Sequence, residues 1–413
     1  MNSFPSSGTC WEELKQRLTD MRKRDVDWRR GKAALLVYYA GDDVLAVARD
    51  AYSMFITENA LAPAAFPSLA AMERDLIEGT LDLFHAPPEA SGSFTSGGTE
   101  SIVLAVKAAR DWHAQRKKLN GPAEIVIPRT AHPAFDKAGQ LLGVRTVRVP
   151  TGGDYRADPG ELAAALTDRT IMLVVSAPAF PYGVIDPVPE VANLARNRDV
   201  WLHVDACIGG YLAPFAKKLG YDIPDFDFSV PGVRSISADL HKYGYAAKGA
   251  SLILYSHREF HRFQSTEFAD WPKGKYFTPT LAGTRPGGAI AAAWAVVNYL
   301  GESGYLARTS RVMQTWRKYL AGVAAIPELF VIGSPHLAIL SYASEVIDIF
   351  CAADRLATKG WYMSRLSEPR AIHQMVNIAH ESSVNEYLED LADAVKQSRN
   401  LPAQRARREV VTY

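Results

Sequence analysis

The residues best suited to covalent chemistry are His241 and Lys242, which stand side by side in a polar, glycine-containing loop after a strand-like run at 235–237. The primary amine of a lysine condenses with a carbonyl group to give a Schiff base, so Lys242 is a candidate nucleophile. A histidine–lysine pair alone has little specificity. Its meaning depends on whether the chain also supplies the other parts of such a site.

Two more reactive side chains follow predicted strands. Asp205 ends the strand-like run 200–204, and a carboxylate at that edge of a sheet can keep a heterocyclic ring nitrogen protonated. His132 follows the run 124–127 by a short turn, where its flat imidazole can stack on a ring or shuttle protons. The alternative for His132 is a capping or surface histidine.

Glycines and hydroxyl side chains at 93–101 precede the apolar-periodic segment 102–109. Gly98 and Thr99 are therefore predicted at a helix N-terminus, where free N–H groups and the helix dipole bind phosphate. A Ser or Thr followed by Glu100 is explained equally well, by itself, as a helix capping box.

A Schiff-base lysine, a carboxylate for the ring nitrogen, a stacking ring and a phosphate cradle are the parts that pyridoxal 5'-phosphate (PLP) requires. A protonated pyridine ring makes that cofactor an electron sink. The combination predicts a PLP enzyme that carries its cofactor on Lys242, and it predicts no metal site.

The elements that position these residues alternate along the chain. Strand-like runs at 124–127, 145–149, 171–175, 200–204, 235–237 and 251–255 are separated by longer periodic segments, which predicts an α/β fold with a large, doubly wound, mainly parallel sheet. An amphipathic helix is predicted at 11–32, and further helices at 286–301 and from 302 toward 324. Short strands at 329–332, 337–342 and 346–350 indicate a small α+β unit.

Composition favours a globular enzyme acting on a small molecule. Of 413 residues, 48% are apolar and 22% charged, and 46 basic against 45 acidic residues leave a formal charge of +1, so no nucleic-acid partner is predicted. The odd, widely spaced cysteines suit a reducing cytoplasm. No transmembrane segment or signal peptide is predicted.

The chain resembles the sphingosine-1-phosphate lyases, within the wider PLP-dependent group II decarboxylases, over about residues 28–377. The resemblance rests on the segments 95–101 (TSGGTES), 181–187 (PYGVIDP), 203–210 (HVDACIGG), 235–245 (SISADLHKYGY) and 282–288 (AGTRPGG). It implies the aspartate aminotransferase fold, known as PLP fold type I, with a seven-stranded type of sheet. It also implies an N-terminal helical segment at 1–75 that contributes to the active site and the dimer, a large PLP-binding domain at 76–305 and a small C-terminal domain at 306–413.

The resemblance also assigns cofactor roles. It implies Lys242 as the Schiff-base lysine, His132 over the ring and Asp205 at the ring nitrogen. Gly98, Thr99 and His241 are implied around the cofactor phosphate, and family members are homodimers with shared active sites, in which Thr284 would reach the neighbouring subunit's phosphate.

Members of this family cleave the C2–C3 bond of a long-chain 2-amino-3-hydroxy phosphoester and release an aldehyde and phosphoethanolamine. The reaction needs a base and an acid, and the candidates are Tyr276, Lys242 and His132. Tyr276 is otherwise an ordinary half-buried aromatic. Asn59 can polarise the substrate hydroxyl, or else it is a helix C-cap.

Lys248 and Tyr38 fall where relatives hold the substrate phosphate, a role that suits an ammonium and a phenol. The family's Asn-Pro-Leu-His segment is replaced at 59–62 by NALA, so Ala62 stands where the family has a histidine. Losing a charge-assisted hydrogen bond costs about 1.5–3 kcal/mol, which leaves phosphate binding weaker, compensated by Tyr39 or abandoned.

The leading interpretation is an aldehyde-lyase of sphingolipid metabolism acting on a sphingoid-base phosphate or a related phosphorylated amino alcohol. The main alternative is an amino-acid decarboxylase, in which Arg285, Arg365 or Arg370 binds an acidic group. A non-catalytic scaffold is disfavoured because Lys242 and Asp205 keep the types that catalysis requires. The resemblance suggests a bacterial form without the membrane anchor of eukaryotic relatives.

Overall fold

The computed structural model describes residues 4–399. A seven-stranded sheet lies at its centre, with strands β1 Ser91–Thr95, β2 Glu124–Pro128, β3 Arg145–Val149, β4 Thr170–Ser176, β5 Trp201–Asp205, β6 Val233–Ala238 and β7 Ser251–Tyr255. The order across the sheet is β1-β7-β6-β5-β4-β2-β3. β7 runs antiparallel to both neighbours, whereas β6, β5, β4, β2 and β3 pair in parallel. The predicted large, mainly parallel sheet is confirmed, and each strand-like run assigned to it forms a strand.

Helices cover both faces of this sheet. The helices in this part of the chain are α2 Asp42–Met54, α3 Pro67–Leu83, α4 Gly98–Arg116, α5 Ala134–Leu142, α6 Pro159–Ala164, α7 Val188–Asn197, α8 Ala213–Lys218 and α9 Arg258–His261, preceded by α1 Trp11–Arg22, which has no buried residue. Side chains alternate along β2, where Ile125 and Ile127 pack with α4 and α5 and Val126 packs in the core on the opposite face. Strands buried on both sides explain the continuous apolar runs in the sequence.

A long helix, α10 Gly287–Ala324, crosses the second face and is interrupted at Gly301. Gly301 has φ +54°, a left-handed value that glycine adopts without steric cost. The predicted pair of helices meeting at residues 301 and 302 is therefore confirmed. Among the described helices, including α10, none combines the length and apolar character needed to cross a membrane.

A hairpin precedes α10 and a second sheet follows it. The hairpin strands are β8 Thr266–Phe268 and β9 Tyr276–Thr278, and the second sheet contains β10 Phe330–Val331, β11 Ile339–Ala343, β12 Ser364–Ser367 and β13 Arg370–Met375, with helices α11 Ile349–Thr358 and α12 Val384–Ser398 beside it. The N-terminal segment contacts this sheet region, since Ala34 N donates to Tyr362 O and Ala34 O accepts from Met375 N. The domain boundaries 1–75, 76–305 and 306–413 stay predictions, and residues 400–413 lie outside the described residues.

Two predicted elements differ from the structure. The strand expected at 346–350 does not form, because Asp348 caps α11 by accepting a hydrogen bond from Phe350 N and Ser344 Oγ accepts from the backbone N–H of Val346. The first helix ends at Arg22 instead of continuing to residue 32. It has no buried residue, so its apolar side does not pack on the described part of this chain.

Candidate active site

A cavity of about 490 Å³ opens at the carboxyl ends of β5 and β6, beside the N-terminus of α4. This edge of an open α/β sheet is where ligands usually bind, and the volume lies in the range of small-molecule sites. The cavity brings together the predicted residues Tyr38, Gly98, Thr99, His132, Asp205, His241, Lys242 and Lys248. They come from separate parts of the sequence and meet only through the sheet topology.

Lys242 forms an ion pair that the sequence analysis did not foresee. Its Nζ lies 3.0 Å from Oδ2 of Asp239, which is only 2% exposed. Burial by itself would lower the pKa of Lys242, but the neighbouring Asp239 carboxylate raises it above the ordinary range. Burial would likewise raise the pKa of Asp239, yet the positive charge of Lys242 holds it below its usual value. Both groups are therefore charged at neutral pH.

Asp205 is held at the end of β5 by donors from neighbouring elements. Its Oδ1 accepts the backbone N–H of Cys207 at 3.1 Å and the hydroxyl of Ser237 at 3.5 Å. The same hydroxyl lies 3.2 Å from Nε2 of His203, and burial lowers the pKa of His203 to about 4. His203 is therefore neutral, and it orients the Ser237 hydroxyl that donates to Asp205 without adding a charge to the site.

His132 lies between β2 and α5 with its ring in the cavity wall. Its Nδ1 accepts the backbone N–H of Ala134 at 3.1 Å, so in the neutral ring the proton resides on Nε2. Burial lowers the pKa of His132, which favours that neutral form. His132 therefore both caps the start of α5, the alternative considered above, and presents a ring to the cavity.

Arg148 on β3 holds the turn that carries His132. Its Nη1 donates to the carbonyl oxygens of Arg129 at 2.9 Å, Ala131 at 3.0 Å and Pro128 at 3.4 Å, and its Nη2 pairs with Asp136. One guanidinium thus satisfies three carbonyl groups of a single turn. Sequence reasoning missed this role, because an arginine on a predicted strand is most simply a solvated charge.

The loop before α4 is arranged as a cradle. A Cβ at Gly98 would lie 2.7 Å from Cys207 Sγ and 3.0 Å from both carboxylate oxygens of Asp239, so only glycine fits there. Nearby, His241 Nδ1 accepts the backbone N–H of Ala250 at 3.2 Å. In neutral His241 the Nε2 proton is therefore available to an anion.

Glu100 does more than the capping box considered from the sequence. The N-cap is Gly97, which makes no side-chain cap, and Glu100 Oε2 instead accepts from Ser96 N at 2.7 Å and Ser96 Oγ at 2.6 Å. Its Oε1 accepts the backbone N–H of Leu281 at 2.9 Å. One buried carboxylate thus ties the cradle to the segment that leads to Thr284.

Lys248 and Tyr38 lie together at the edge of the cavity. Lys248 Nζ lies 4.9 Å from the centroid of the Tyr38 ring and donates to the carbonyl of His241 at 3.1 Å. Burial, and secondly the charge of Lys242, lowers the pKa of Lys248 to about 8. An anion entering here meets an ammonium and a phenol side by side.

Asn59, Tyr276 and Thr284 do not line this cavity; we call them the second cluster. Asn59 pairs with Pro286 through a backbone bridge, and a Cβ at Gly283 would lie 3.7 Å from the hydroxyl of Tyr276. Asn59 is not the helix C-cap considered from the sequence, since α2 ends at Met54 and Asn59 Oδ1 accepts from Leu61 N. Ala62 is exposed on the same side.

The arginines considered for an acidic substrate are engaged elsewhere. Arg285 is buried and pairs with Glu73, and Arg370 pairs with Asp348 at 2.6 Å. Arg365 lines a second cavity of about 800 Å³, which shares His132 and Phe180 with the first, and it pairs with Asp354.

The residues present fit PLP. A lysine amine, a carboxylate fixed by backbone and hydroxyl donors and an imidazole share one cavity with a glycine loop at a helix N-terminus. At Gly98 a side chain would collide with Cys207 and Asp239, which keeps the loop bare for a phosphate.

The family comparison agrees with this site. Residues 3–343 match the model of the pyridoxal-dependent decarboxylase conserved domain. The chain belongs to that family and is a PLP-dependent lyase.

Individual relatives narrow the assignment. The chain is 42% identical to the sphingosine-1-phosphate lyase of Oryza sativa over 386 residues, which covers 92% of this chain and 71% of that relative. The solved sphingosine-1-phosphate lyase of Burkholderia pseudomallei superposes with a TM-score of 0.93 at 36% identity, covering 97% and 93%. An L-aspartate/L-glutamate decarboxylase of Pyrococcus horikoshii is 32% identical over 95% of this chain and 99% of that relative. The predicted resemblance to the sphingosine-1-phosphate lyases is therefore confirmed.

Proposed function

We propose that this chain cleaves the C2–C3 bond of a sphingoid-base 1-phosphate to a long-chain aldehyde and phosphoethanolamine. The observation that carries the proposal is the pairing of Lys248 and Tyr38 at the edge of the cavity of about 490 Å³ that contains Lys242, which we call the lysine cavity. In a chain 42% identical to a sphingosine-1-phosphate lyase, these two side chains form a phosphate subsite next to Lys242.

The adjoining cavity suits the alkyl chain of such a substrate. Its volume of about 800 Å³ is bounded largely by apolar side chains, which include Leu35, Leu36, Phe180, Met363 and Leu366. Leu35, Leu36, Phe180 and His132 border both cavities, so the two cavities adjoin each other. Transfer of the alkyl chain from water into such a space contributes to binding in proportion to its length.

We assign roles to the chain's own residues as follows. Lys242 holds the cofactor covalently, Asp205 stabilises the protonated ring nitrogen, and His132 packs on the ring. Gly98, Thr99 and His241 bind the cofactor phosphate. When bound, PLP supplies an electron sink for the electron pair left at C2 of the substrate.

The proton transfers fall to residues with suitable positions or types. Lys242 and His132 lie in the cavity, and Tyr276 and Asn59 would act from the second cluster. The neutral form of His132 suits a base, whereas Lys242 stays protonated and therefore has a proton to donate.

Ala62 is the position where this sequence departs from the family pattern in a way that bears on substrate binding. In the family a histidine adds a phosphate ligand at this position, and here the side chain is a methyl group. Tyr39 does not line the cavity and interacts with Arg29 and Asp42, so its position does not support the idea that it replaces the missing histidine as a phosphate ligand. We propose that Lys248 and Tyr38 bind the phosphate without that ligand.

The test is to incubate the PLP-loaded protein with sphingosine-1-phosphate or its dihydro form. Mass spectrometry should detect both a long-chain aldehyde and phosphoethanolamine, and Lys242→Ala should abolish both products. Bound cofactor without either product would contradict the proposal and direct the search to amino acids and smaller amino alcohols.

The second candidate is an amino-acid decarboxylase. It is favoured by the 32% identity to the Pyrococcus horikoshii decarboxylase, which this chain matches over 99% of its length. Cleavage at the same carbon then releases CO2 instead of an aldehyde. Release of CO2 from L-aspartate or L-glutamate, without aldehyde from a hydroxylated substrate, would establish it.

We also propose a homodimer with shared active sites. The second cluster lies outside the lysine cavity, on a surface rich in exposed apolar side chains: Met54, Ile56, Leu61, Phe268, Trp271, Phe277 and Leu281. Apolar side chains concentrated in this way are typical of protein interfaces. A second copy covering this surface would bring Asn59, Tyr276 and Thr284 to its partner's cavity.

Mixed dimers test the shared site. Lys242→Ala and Tyr276→Phe each remove a residue assigned to catalysis, and neither variant alone should be active. If the site is shared, co-expression should restore about a quarter of wild-type activity, because random pairing makes half of the dimers mixed, each with one intact site. No restoration, although mixed dimers are isolated with two different tags, would contradict the shared site.

A cytoplasmic location is proposed from the cysteines. Cys10, Cys207 and Cys351 are free, with Cys10 exposed and Cys207 buried. Free thiols are typical of a reducing compartment. A bacterial source stays a prediction.

A further inference from the structure

Besides Asp205 and Glu100, the lysine cavity is lined by a third carboxylate, Asp239, to which the proposed chemistry gives no role. Asp239 directly follows β6, is 2% exposed and lies in the cavity wall with Asp205. One carboxylate is enough for the ring nitrogen. A buried, charged side chain with no evident structural duty is a candidate functional group.

Asp239 points its carboxylate at Lys242. Oδ2 lies 3.0 Å from Lys242 Nζ and 3.6 Å from His241 Nε2. The other oxygen, Oδ1, accepts no hydrogen bond of normal geometry among the described residues, although the Ser251 hydroxyl is near enough to help lower the pKa of the carboxylate. Buried polar atoms are normally satisfied, so an unsatisfied carboxylate oxygen beside a reactive amine indicates a function in the site.

The backbone fixes this pair before any ligand binds. Asp239 N donates to Cys207 O, and Lys242 N donates to Asp239 O, which closes a turn with both side chains on one side. The carboxylate is also confined by Gly98, whose added Cβ would lie 3.0 Å from each of its oxygens. Asp239 therefore has little freedom to turn away from Lys242.

The neighbouring acidic groups act in the same direction, and one neighbouring base, Lys248, opposes them at neutral pH. The acidic groups that face Lys242 are Asp239, Asp205, Cys207 and Tyr38. Of these, Asp239 raises the pKa of Lys242 the most. His132, His241 and Lys248 are the basic groups that interact with Lys242. Burial lowers the pKa of each of these three, so they add little positive charge to oppose the ammonium form, except Lys248 below about pH 8.

We propose that Asp239 is a positioning residue that stores the free amino group of Lys242 as an ammonium ion and thereby makes Lys242 the acid of the reaction. In the acid step an N–H bond of Lys242 breaks, its electron pair stays on Nζ, and the proton bonds to C2 of the substrate. The base for the C3 hydroxyl is then His132 or Tyr276. The acid step rests on the proposed lyase function, whereas storage of the ammonium does not.

The test measures the protonation of Lys242 directly. Full-length protein freed of cofactor is treated briefly with acetic anhydride across a pH series, and mass spectrometry of the Lys242 peptide gives the fraction acetylated. The exposed Lys15 serves as an internal standard. An opposite charge within 4–6 Å shifts a pKa by about 1–3 units, so Asp239→Asn should make Lys242 at least about tenfold more reactive at neutral pH. Asp205→Asn, which leaves the 3.0 Å pair intact, should have a smaller effect.

A second variant and a second readout complete the test. If Asp239→Asn does not fold, Asp239→Ser removes the charge with a smaller side chain that leaves more room for Gly98. In the PLP-loaded enzyme, the limb of the kcat profile that reports loss of the acid should move to lower pH in the variant. An unchanged Lys242 labelling profile in a folded variant would overturn the proposal, whatever the product assay shows. A shifted labelling profile without aldehyde product would keep ammonium storage and refute the lyase instead.

Discussion

Replacement of Arg148 by alanine tests whether this residue of β3 positions the His132 ring, which we propose packs on the cofactor. The guanidinium donates to three carbonyl groups of the turn before His132 and pairs with Asp136. Hydrogen bonds to charged groups contribute about 1.5–3 kcal/mol each. Because the Arg148 side chain is 28% exposed, water replaces part of this, and we expect a net loss of about 2–3 kcal/mol in the stability of the turn.

The effect on the cofactor follows from the freedom that His132 would gain. Stacking of a flat ring on an aromatic side chain contributes about 1–3 kcal/mol, so loss of a fixed His132 should weaken PLP binding about 5- to 140-fold. The assay is titration of cofactor-free protein with PLP, followed by the visible absorbance of the bound form. Unfolding in urea, measured on the same cofactor-free samples, reports the stability change separately.

Arg145 offers a matched control on the same strand. Its guanidinium pairs with Glu124 at 3.2 Å, but the side chain is 61% exposed and Glu124 is also bound by Arg169 and Thr167. Exposed ion pairs contribute about 0–1 kcal/mol, so Arg145→Ala should leave PLP affinity unchanged. Equal PLP affinity in Arg148→Ala and wild type, or an equal loss in both variants, would refute the argument that Arg148 positions His132.

Three further substitutions test the site. Lys242→Ala should abolish the borohydride-reducible link to PLP, and a variant that kept such a link would exclude Lys242 as its attachment point. Glu100→Gln places an amide N–H2 group against the backbone N–H of Ser96 or Leu281, which also donates, and should weaken PLP binding by about tenfold or more. An unchanged PLP titration would show that the Glu100 hydrogen bonds do not support the phosphate-binding loop. Ala62→His should lower KM for phosphorylated substrates with little change for unphosphorylated analogues, and no difference between the two would count against a phosphate pocket at that position.

The catalytic centre was accessible from the sequence where a residue type coincides with a strand end. Asp205 and the Lys242 loop follow apolar runs, and parallel strands buried on both faces must bring their carboxyl ends to one edge. The same logic located His132, because the run at 124–127 is also a central strand. The break in α10 could be predicted for a similar local reason, since Gly301 interrupts an otherwise continuous apolar pattern.

Expectations were wrong where a short apolar run was judged without its polar neighbours. Val346 lies in a run that suits a strand, but Asp348 supplies an N-cap and the chain enters α11 instead. The first helix carries apolar residues at helical spacing, yet within the described chain they remain exposed. Spacing reports that a face is apolar and does not report what covers it.

What the sequence by itself determined is the set of residue types and their order along buried strands, which is enough for the fold class and the cofactor and to propose Lys242 as the attachment lysine. Only the tertiary structure decided which groups touch. The Asp239–Lys242 pair, the Glu100 clamp and the Arg148 support depend on side-chain directions and on contacts between distant segments. The division of the predicted residues between the lysine cavity and the second cluster is likewise a tertiary property. The physical reason is that spacing along one element constrains its own faces, whereas distances of about 3 Å between elements depend on how the whole core packs.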